Sequence, residues 1–246
     1  MPVYHSALLP ELFQTPSLAI PHHQEALTLL AHTAEKQGDT KTLRGVYEKI
    51  LSRDTKNTTI LFNLGVLEAD EGNLNKAVSY FERIVQINPK DVQAREALFA
   101  IYQRQKRNDL AFIQVQKLIK LAPKKVSYHR FIFNYLVEQS DFEQVAQYMR
   151  EAIEANPKEL ELRKYLVLAY LKLEKNELAA KELEKAIELS PNDTELLHQL
   201  ATLREASGDL EAALALYKKI LAISPEDEKA EEAYLRLRFK LLHKGK

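Results

Sequence analysis

In this 246-residue chain, histidine, carboxylate and lysine side chains are the groups that could do chemistry. The seven histidines are His5, His22, His23, His32, His129, His198 and His243. His22, His23 and His32 are near enough in sequence to suggest a metal site. Adjacent histidines leave a helix on different sides, however, and no carboxylate cluster accompanies them, so they read as surface residues. Cysteine is absent, which removes disulfides, thiolate metal sites and cysteine nucleophiles. There is no glycine-rich phosphate loop, no paired-histidine zinc helix and no nucleophile elbow. Paired acids such as Glu231-Glu232 read as solvated helix faces. No catalytic residue, metal ligand or cofactor is expected, and the chain does not read as an enzyme.

Charge is balanced overall but not locally. Lys+Arg and Asp+Glu each number 35, yet residues 92–125 carry eight basic side chains against two acidic ones. The flanking stretches 58–91 and 126–159 are net −2 and −3. Arg104, Lys106, Arg107, Lys117, Lys120, Lys124 and Lys125 form a basic belt. Such a belt either pairs with acidic neighbours or attracts an acidic protein segment or an anionic lipid headgroup, which leaves peripheral membrane association open. Nucleic acid is not expected, because the chain is neutral and aromatic residues are not interleaved with the basic ones. No run of about 18 apolar residues is long enough to span a bilayer. The first 23 residues lack a basic leader and hold four prolines, which does not fit a signal peptide. A soluble cytoplasmic chain is the expectation, or a periplasmic one whose signal has been removed.

The elements that must position these residues are marked by prolines. Pro89, Pro123, Pro157, Pro191 and Pro225 stand 34 residues apart in succession, and stepping back from Pro89 reaches Thr55 and then Pro21. A fixed period of this length means stacked supersecondary units. It divides the chain into 24–57, 58–91, 92–125, 126–159, 160–193 and 194–227. Each unit carries two helical periods: Leu61, Leu64, Gly65 and Glu68 mark the first helix of 58–91, and Ala77, Phe81 and Ile84 the second. Between them the chain turns at Gly72-Asn73, and at Gly38-Asp39, Lys106-Arg107, Ser140-Asp141, Glu174-Lys175 and Gly208-Asp209 in the other units. Helices of about 12–14 residues are marginal alone, so the array must fold by stacking.

With these sizes at these positions, the sequence resembles the tetratricopeptide repeat (TPR) family. Position 7 of each unit is Leu30, Leu64, Leu98, Ile132, Leu166 and Leu200. Position 8, where the family prefers a small residue, is Ala31, Gly65, Phe99, Phe133, Val167 and Ala201. Position 20 is Leu43, Ala77, Ala111, Val145, Ala179 and Ala213, and position 24 is Tyr47, Phe81, Val115, Met149, Leu183 and Tyr217. Small residues at 8 and 20 let the two helices of a unit approach, and large ones at 4, 7 and 24 are expected to fill the space between units. Phe99 and Phe133 depart from the pattern, so packing around the third and fourth units should be looser or differently angled. The resemblance implies an all-α fold, a right-handed α-solenoid (superhelix) of six stacked helix-turn-helix units. Residues 228–246 would form a C-terminal capping helix and tail, with Phe239 and Leu242 as an alternative docking surface. Residues 1–23 would be an N-terminal cap or arm.

The resemblance also implies where a partner would bind. First-helix positions 2, 5, 9, 12 and 13 line the concave face in the family. Here these positions include apolar Phe62, Val66, Ala100, Leu168 and Leu171 among basic Arg104, Arg130, Lys164 and Lys172, with Asn134 and His198. That mixture suits an extended or helical peptide, with some acidic character. The chaperone-tail clamp of the family is incomplete: Arg130 and Asn134 match approximately, but Tyr165, Glu195 and Gln199 stand at the other clamp positions. The asparagine ladder of sugar-nucleotide transferases is missing too, since position 6 reads Leu29, Asn63, Ala97, Phe131, Tyr165 and Gln199. The expected role is a non-enzymatic scaffold or adaptor that holds a protein or peptide in its concave groove and supports assembly of a multiprotein complex. The alternative is a self-associating structural module that forms homo-oligomers through its terminal arm or cap.

Overall fold

The computed structural model describes the backbone of residues 20–243 and the side chains of residues 26–243. Among these, thirteen α-helices follow one another with no strand. They are α1 (Ile20–Gln37), α2 (Thr40–Arg53), α3 (Thr58–Asp70), α4 (Leu74–Ile87), α5 (Val92–Arg104), α6 (Asn108–Leu121) and α7 (Val126–Glu138). The rest are α8 (Phe142–Ala155), α9 (Leu160–Lys172), α10 (Asn176–Leu189), α11 (Thr194–Ala206), α12 (Leu210–Ile223) and α13 (Glu228–His243). The fold is an all-α repeat solenoid. The cap or arm expected over residues 1–23 lies, up to Ala19, outside the described residues. The chain forms two compact units that meet in sequence between Arg107 and Asn108, inside the third repeat.

Local chemistry starts and stops each helix. Short acceptors supply N-caps for seven helices: Asn57 accepts from the Ile60 N–H at 3.1 Å, Asp91 from Ala94 at 2.9 Å and Asp141 from Gln144 at 3.0 Å, and Asp39, Asp193, Asp209 and Asp227 act likewise. A side-chain oxygen there satisfies a backbone donor that has no partner inside the helix. Lys125, Glu159 and Lys175 occupy equivalent sites with no side-chain cap. At the turn inside each repeat the backbone is left-handed in all six cases. Gly38, Gly72 and Gly208 adopt it freely, but Lys106, Ser140 and Glu174 are held there at φ 56–57°, a conformation costly for a residue with a Cβ.

The core follows the expected positions. The position-7 and position-20 side chains from 64 to 213 are buried, and so is position 24 from Tyr47 to Tyr217. In the second repeat Phe81 lies on Gly65 so closely that a Cβ there would come 2.7–2.9 Å from the ring. The same ring meets Phe62 edge-on at 5.3 Å. Phe81 at position 24 thus packs within its own repeat. A small residue at position 8 is what makes that possible.

Repeats three and four solve the packing differently. Phe99 and Phe133 at position 8 are only half-buried. Phe133 turns out of its own helix pair and stacks on Tyr165 of the next repeat, with centroids 3.8 Å apart and planes 10° apart. At position 24 of these two repeats the buried side chains, Val115 and Met149, are not aromatic. At the end of the chain, α13 buries Ala230, Ala233 and Leu237 against Leu197, Ala201 and Tyr217. Its other face leaves Leu235, Phe239 and Leu242 exposed at 55%, 65% and 68%.

Candidate partner-binding surface

The first helix of each repeat carries the residues expected to meet a partner. Thr28, His32, Glu35 and Lys36 on α1 are exposed, as are Thr59, Val66 and Asp70 on α3 and Gln93, Ala100, Gln103 and Arg104 on α5. Phe62 is half-buried, held edge-on by Phe81. In the second compact unit Asn134 on α7 and Leu168, Leu171 and Lys172 on α9 are exposed, while Lys164 and His198 are half-buried. None of these side chains is buried.

Three of the expected cations are not free, however. Arg130 makes a two-pronged pair with Glu161, at 2.7 and 2.9 Å, and the Tyr165 hydroxyl donates to the same carboxylate. Lys164 Nζ lies 2.9 Å from Asp193 Oδ2, and His198 Nε2 lies 2.8 Å from Asp227 Oδ2. Each link joins position 5 of one repeat to the next repeat's position 2 or to the N-cap just before its first helix. Arg236 of α13 continues the series to Glu205 at 2.6 Å. The Arg130 guanidinium holds Glu161 below the usual carboxylate range against the opposing effect of burial. Burial, reinforced by Glu161, pushes the Tyr165 hydroxyl up to about 12. Burial opposes ionisation of Asp193, but the Lys164 bond and the capping N–H groups outweigh it and lower its pKa. Asp227 is lowered chiefly by His198.

Exposed pairs of this kind contribute little to stability, because solvent screens them. Their larger effect here is to neutralise charge and fix side chains. Arg130 and Lys164, expected on the partner-binding face, thus each already have a carboxylate partner within the chain. Arg104 and Lys172 do have no carboxylate within ion-pair distance among the described residues.

The residues of the basic belt are divided between the two compact units. Lys106 and Arg107 fall in the first compact unit, and the other four lysines in the second. Lys106 is the left-handed turn residue, and the Arg107 guanidinium lies over the Tyr102 ring at 5.5 Å. Lys124 and Lys125 follow α6, with Lys125 over Tyr128 at 4.8 Å. Lys117 and Lys120 stand on α6 itself, beside α8.

Several structural residues were not singled out by their sequence context. His129 is buried, with Nε2 2.7 Å from the Pro123 carbonyl. Arg95 and Arg163 reach the Pro89 and Pro157 carbonyls in the same way. A basic residue six positions after a period-marking proline was the available signal. Glu68 is a buried carboxylate, 3.3 Å from Arg44 and 2.8 Å from the Asn73 amide. His32 is exposed, and among the described residues no three His, Cys, Asp or Glu side chains gather as a metal site would require. No described helix is long and apolar enough to cross a membrane.

Sequence models of the tetratricopeptide repeat match residues 58–91, 136–203 and 194–237. The chain belongs to the tetratricopeptide repeat family. Solved TPR structures resemble it in fold. The protein YrrB, described as a TPR protein with an unusual peptide-binding site, is 15% identical with a TM-score of 0.52 over 76% of this chain and 96% of its own. MamA protein is 18% identical with a TM-score of 0.51, over 70% of this chain and 94% of its own. In the structure of Naa15/Naa10 bound to HypK-THB, the likeness covers 91% of this chain but 35% of the other, at 17% identity and a TM-score of 0.62. No curated protein sequence matches this one. The TPR chain is thus a protein-interaction repeat scaffold, of a family whose members are generally non-enzymatic.

Proposed function

We propose that this chain is an adaptor built of six TPR units over residues 24–227 with a C-terminal capping helix, and that it holds a peptide or helix of a partner protein in its concave groove. In this role it supports assembly of a multiprotein complex. The observation that carries the reading is on α9: Leu168 and Leu171 are 38% and 36% exposed. They lie three residues apart on one helix face, between the paired Lys164 and the unpaired Lys172. Apolar side chains left at the surface of a pre-fixed polar frame suit the apolar anchors of a docked peptide. Exposed Asn134 on α7, in the same compact unit, adds a polar contact to these apolar ones.

The test is to pan a displayed random-peptide library on the full chain and measure the selected peptides against Leu168→Asp with Leu171→Asp. Loss of binding of about tenfold or more, the effect of about 1.4 kcal/mol, is expected. Peptides that bind the double variant as well as the wild type would place the partner site elsewhere.

Exposed Leu235, Phe239 and Leu242 favour a second reading, self-association through α13. Phe239→Glu should then abolish any dimer seen by light scattering. A wild type that stays monomeric at high concentration rejects it.

A further inference from the structure

The other helix layer carries a site that the adaptor reading leaves unused. Between α6 and α8 lies a cleft of about 380 Å³, bordered by Lys117 and Lys120 on one side and by Gln144, Gln147, Tyr148 and Glu151 on the other. We propose that this cleft binds an extended acidic segment of a partner protein, one with two carboxylates two residues apart.

The lysines set the charge. Both are exposed, and among the described residues neither has an acidic partner, unlike Arg130 and Lys164 on the first-helix face. They also set the spacing. Residues three apart on a helix have Cβ atoms about 5–6 Å apart. Alternate side chains of an extended peptide project to one side, roughly 6.8 Å apart, so two flexible ammonium groups can meet two such carboxylates.

The facing wall repeats the three-residue spacing with Gln144 and Gln147. Their amide nitrogens are turned to Asp141 and Glu151, which presents the amide oxygens as acceptors for peptide N–H groups. Glu151 repels carboxylates from its own wall and so keeps the acidic side chains beside α6. Tyr148, half-buried and hydrogen-bonded to Gln116, gives the peptide backbone a flat apolar surface to rest on. Acceptor groups on one wall and cations on the other suit a peptide, which has donors and carboxylates together. They suit an anionic lipid headgroup less, since it would meet Glu151 without donating to the amides.

The experiment measures fluorescence anisotropy of a labelled Gly-Ser-Glu-Ser-Glu-Ser-Gly peptide with the full chain. Binding is expected, weakened by about tenfold or more in Lys117→Glu with Lys120→Glu and by less than about threefold in Lys124→Glu with Lys125→Glu, because contact charges lose more than peripheral ones. Gln144→Ala with Gln147→Ala should weaken it by several-fold. Leu168→Asp with Leu171→Asp should leave it unchanged, which separates this site from the first-helix groove. All these positions are at the surface, and unchanged circular dichroism and melting confirm that the variants fold. Equal losses in both lysine pairs, no binding by the wild type, or binding only to vesicles containing phosphatidylserine would each overturn the proposal.

Discussion

Repeats 58–91 and 126–159 share one backbone plan and use it in opposite ways. The first seats its aromatic ring within its own helix pair. Gly65 lets Phe81 lie across its helix pair, Asn57 caps its first helix, and Gly72 makes its turn without strain. The other has a phenylalanine where the glycine would be, no side-chain cap at Lys125, and a serine forced into the left-handed turn. Its aromatic ring is directed outward, to Tyr165 of the following repeat. The difference teaches that the residue at position 8 decides where an aromatic ring can pack: a glycine admits it within the helix pair, and a phenylalanine is itself sent to the next repeat. Repeat four also contributes Arg130, which ties it to Glu161.

The sharpest way to break this comparison is to remove the two rings. Phe81→Ala should cost roughly 3–5 kcal/mol in a urea titration, as for a fully buried aromatic. Phe133→Ala should cost less than that, about 0.5–1.5 kcal/mol for the aromatic pair together with the smaller apolar area of a half-buried ring. A double variant, Phe133→Ala with Tyr165→Ala, should cost less than the sum of its parts, since both lose the same stack. If Phe81→Ala costs no more than Phe133→Ala, the distinction between the repeats fails.

The turns come next in size. Ser140→Gly should raise stability by about 1 kcal/mol, because relief of the left-handed backbone outweighs the added freedom of the unfolded chain. Gly72→Ala should lower it by a similar amount, about 1 kcal/mol, since the same conformation then carries a Cβ. A melting shift of the same sign for both would refute the account of the turn.

The smallest effect concerns acid. Glu161, Asp193 and Asp227 have pKa values lowered in the folded chain. Their stabilisation is therefore complete above the ordinary carboxylate range, about pH 4, and is lost as pH falls through the lowered folded-state values. Arg130→Gln should flatten this loss relative to wild type in melts taken from neutral pH down to about pH 3. Parallel curves would mean that the Arg130–Glu161 pair contributes nothing to stability.

Much of the fold was legible because TPR packing is written in local sizes. The prolines from Pro89 to Pro225 give the period, and Leu64, Gly65, Ala77 and Phe81 give the buried face. The site was less legible. Exposure of Leu168 and Leu171 follows from their place on the helix. The neutralisation of Arg130 does not, because Glu161 is 31 residues away and is reached only when repeats stack in one register. Phe133 was recognisable as an intruder, but its solution required Tyr165 in the next repeat. His129 carried no assigned role in the sequence, because its partner, the Pro123 carbonyl, is met only once the helix forms.

Asp193 and Asp227 each divide their two oxygens. In both, Oδ1 accepts from the backbone at the start of the next helix, while Oδ2 accepts from Lys164 or is bonded to His198. One carboxylate is thus the hinge pin of two neighbouring repeats. A graft that exchanges whole repeats between such proteins must keep this aspartate with both the helix it begins and the cation behind it. A splice made at the proline separates it from that cation. The natural module of exchange overlaps its neighbour there, and shuffling these repeats as independent cassettes would leave a mismatched joint at these two cuts.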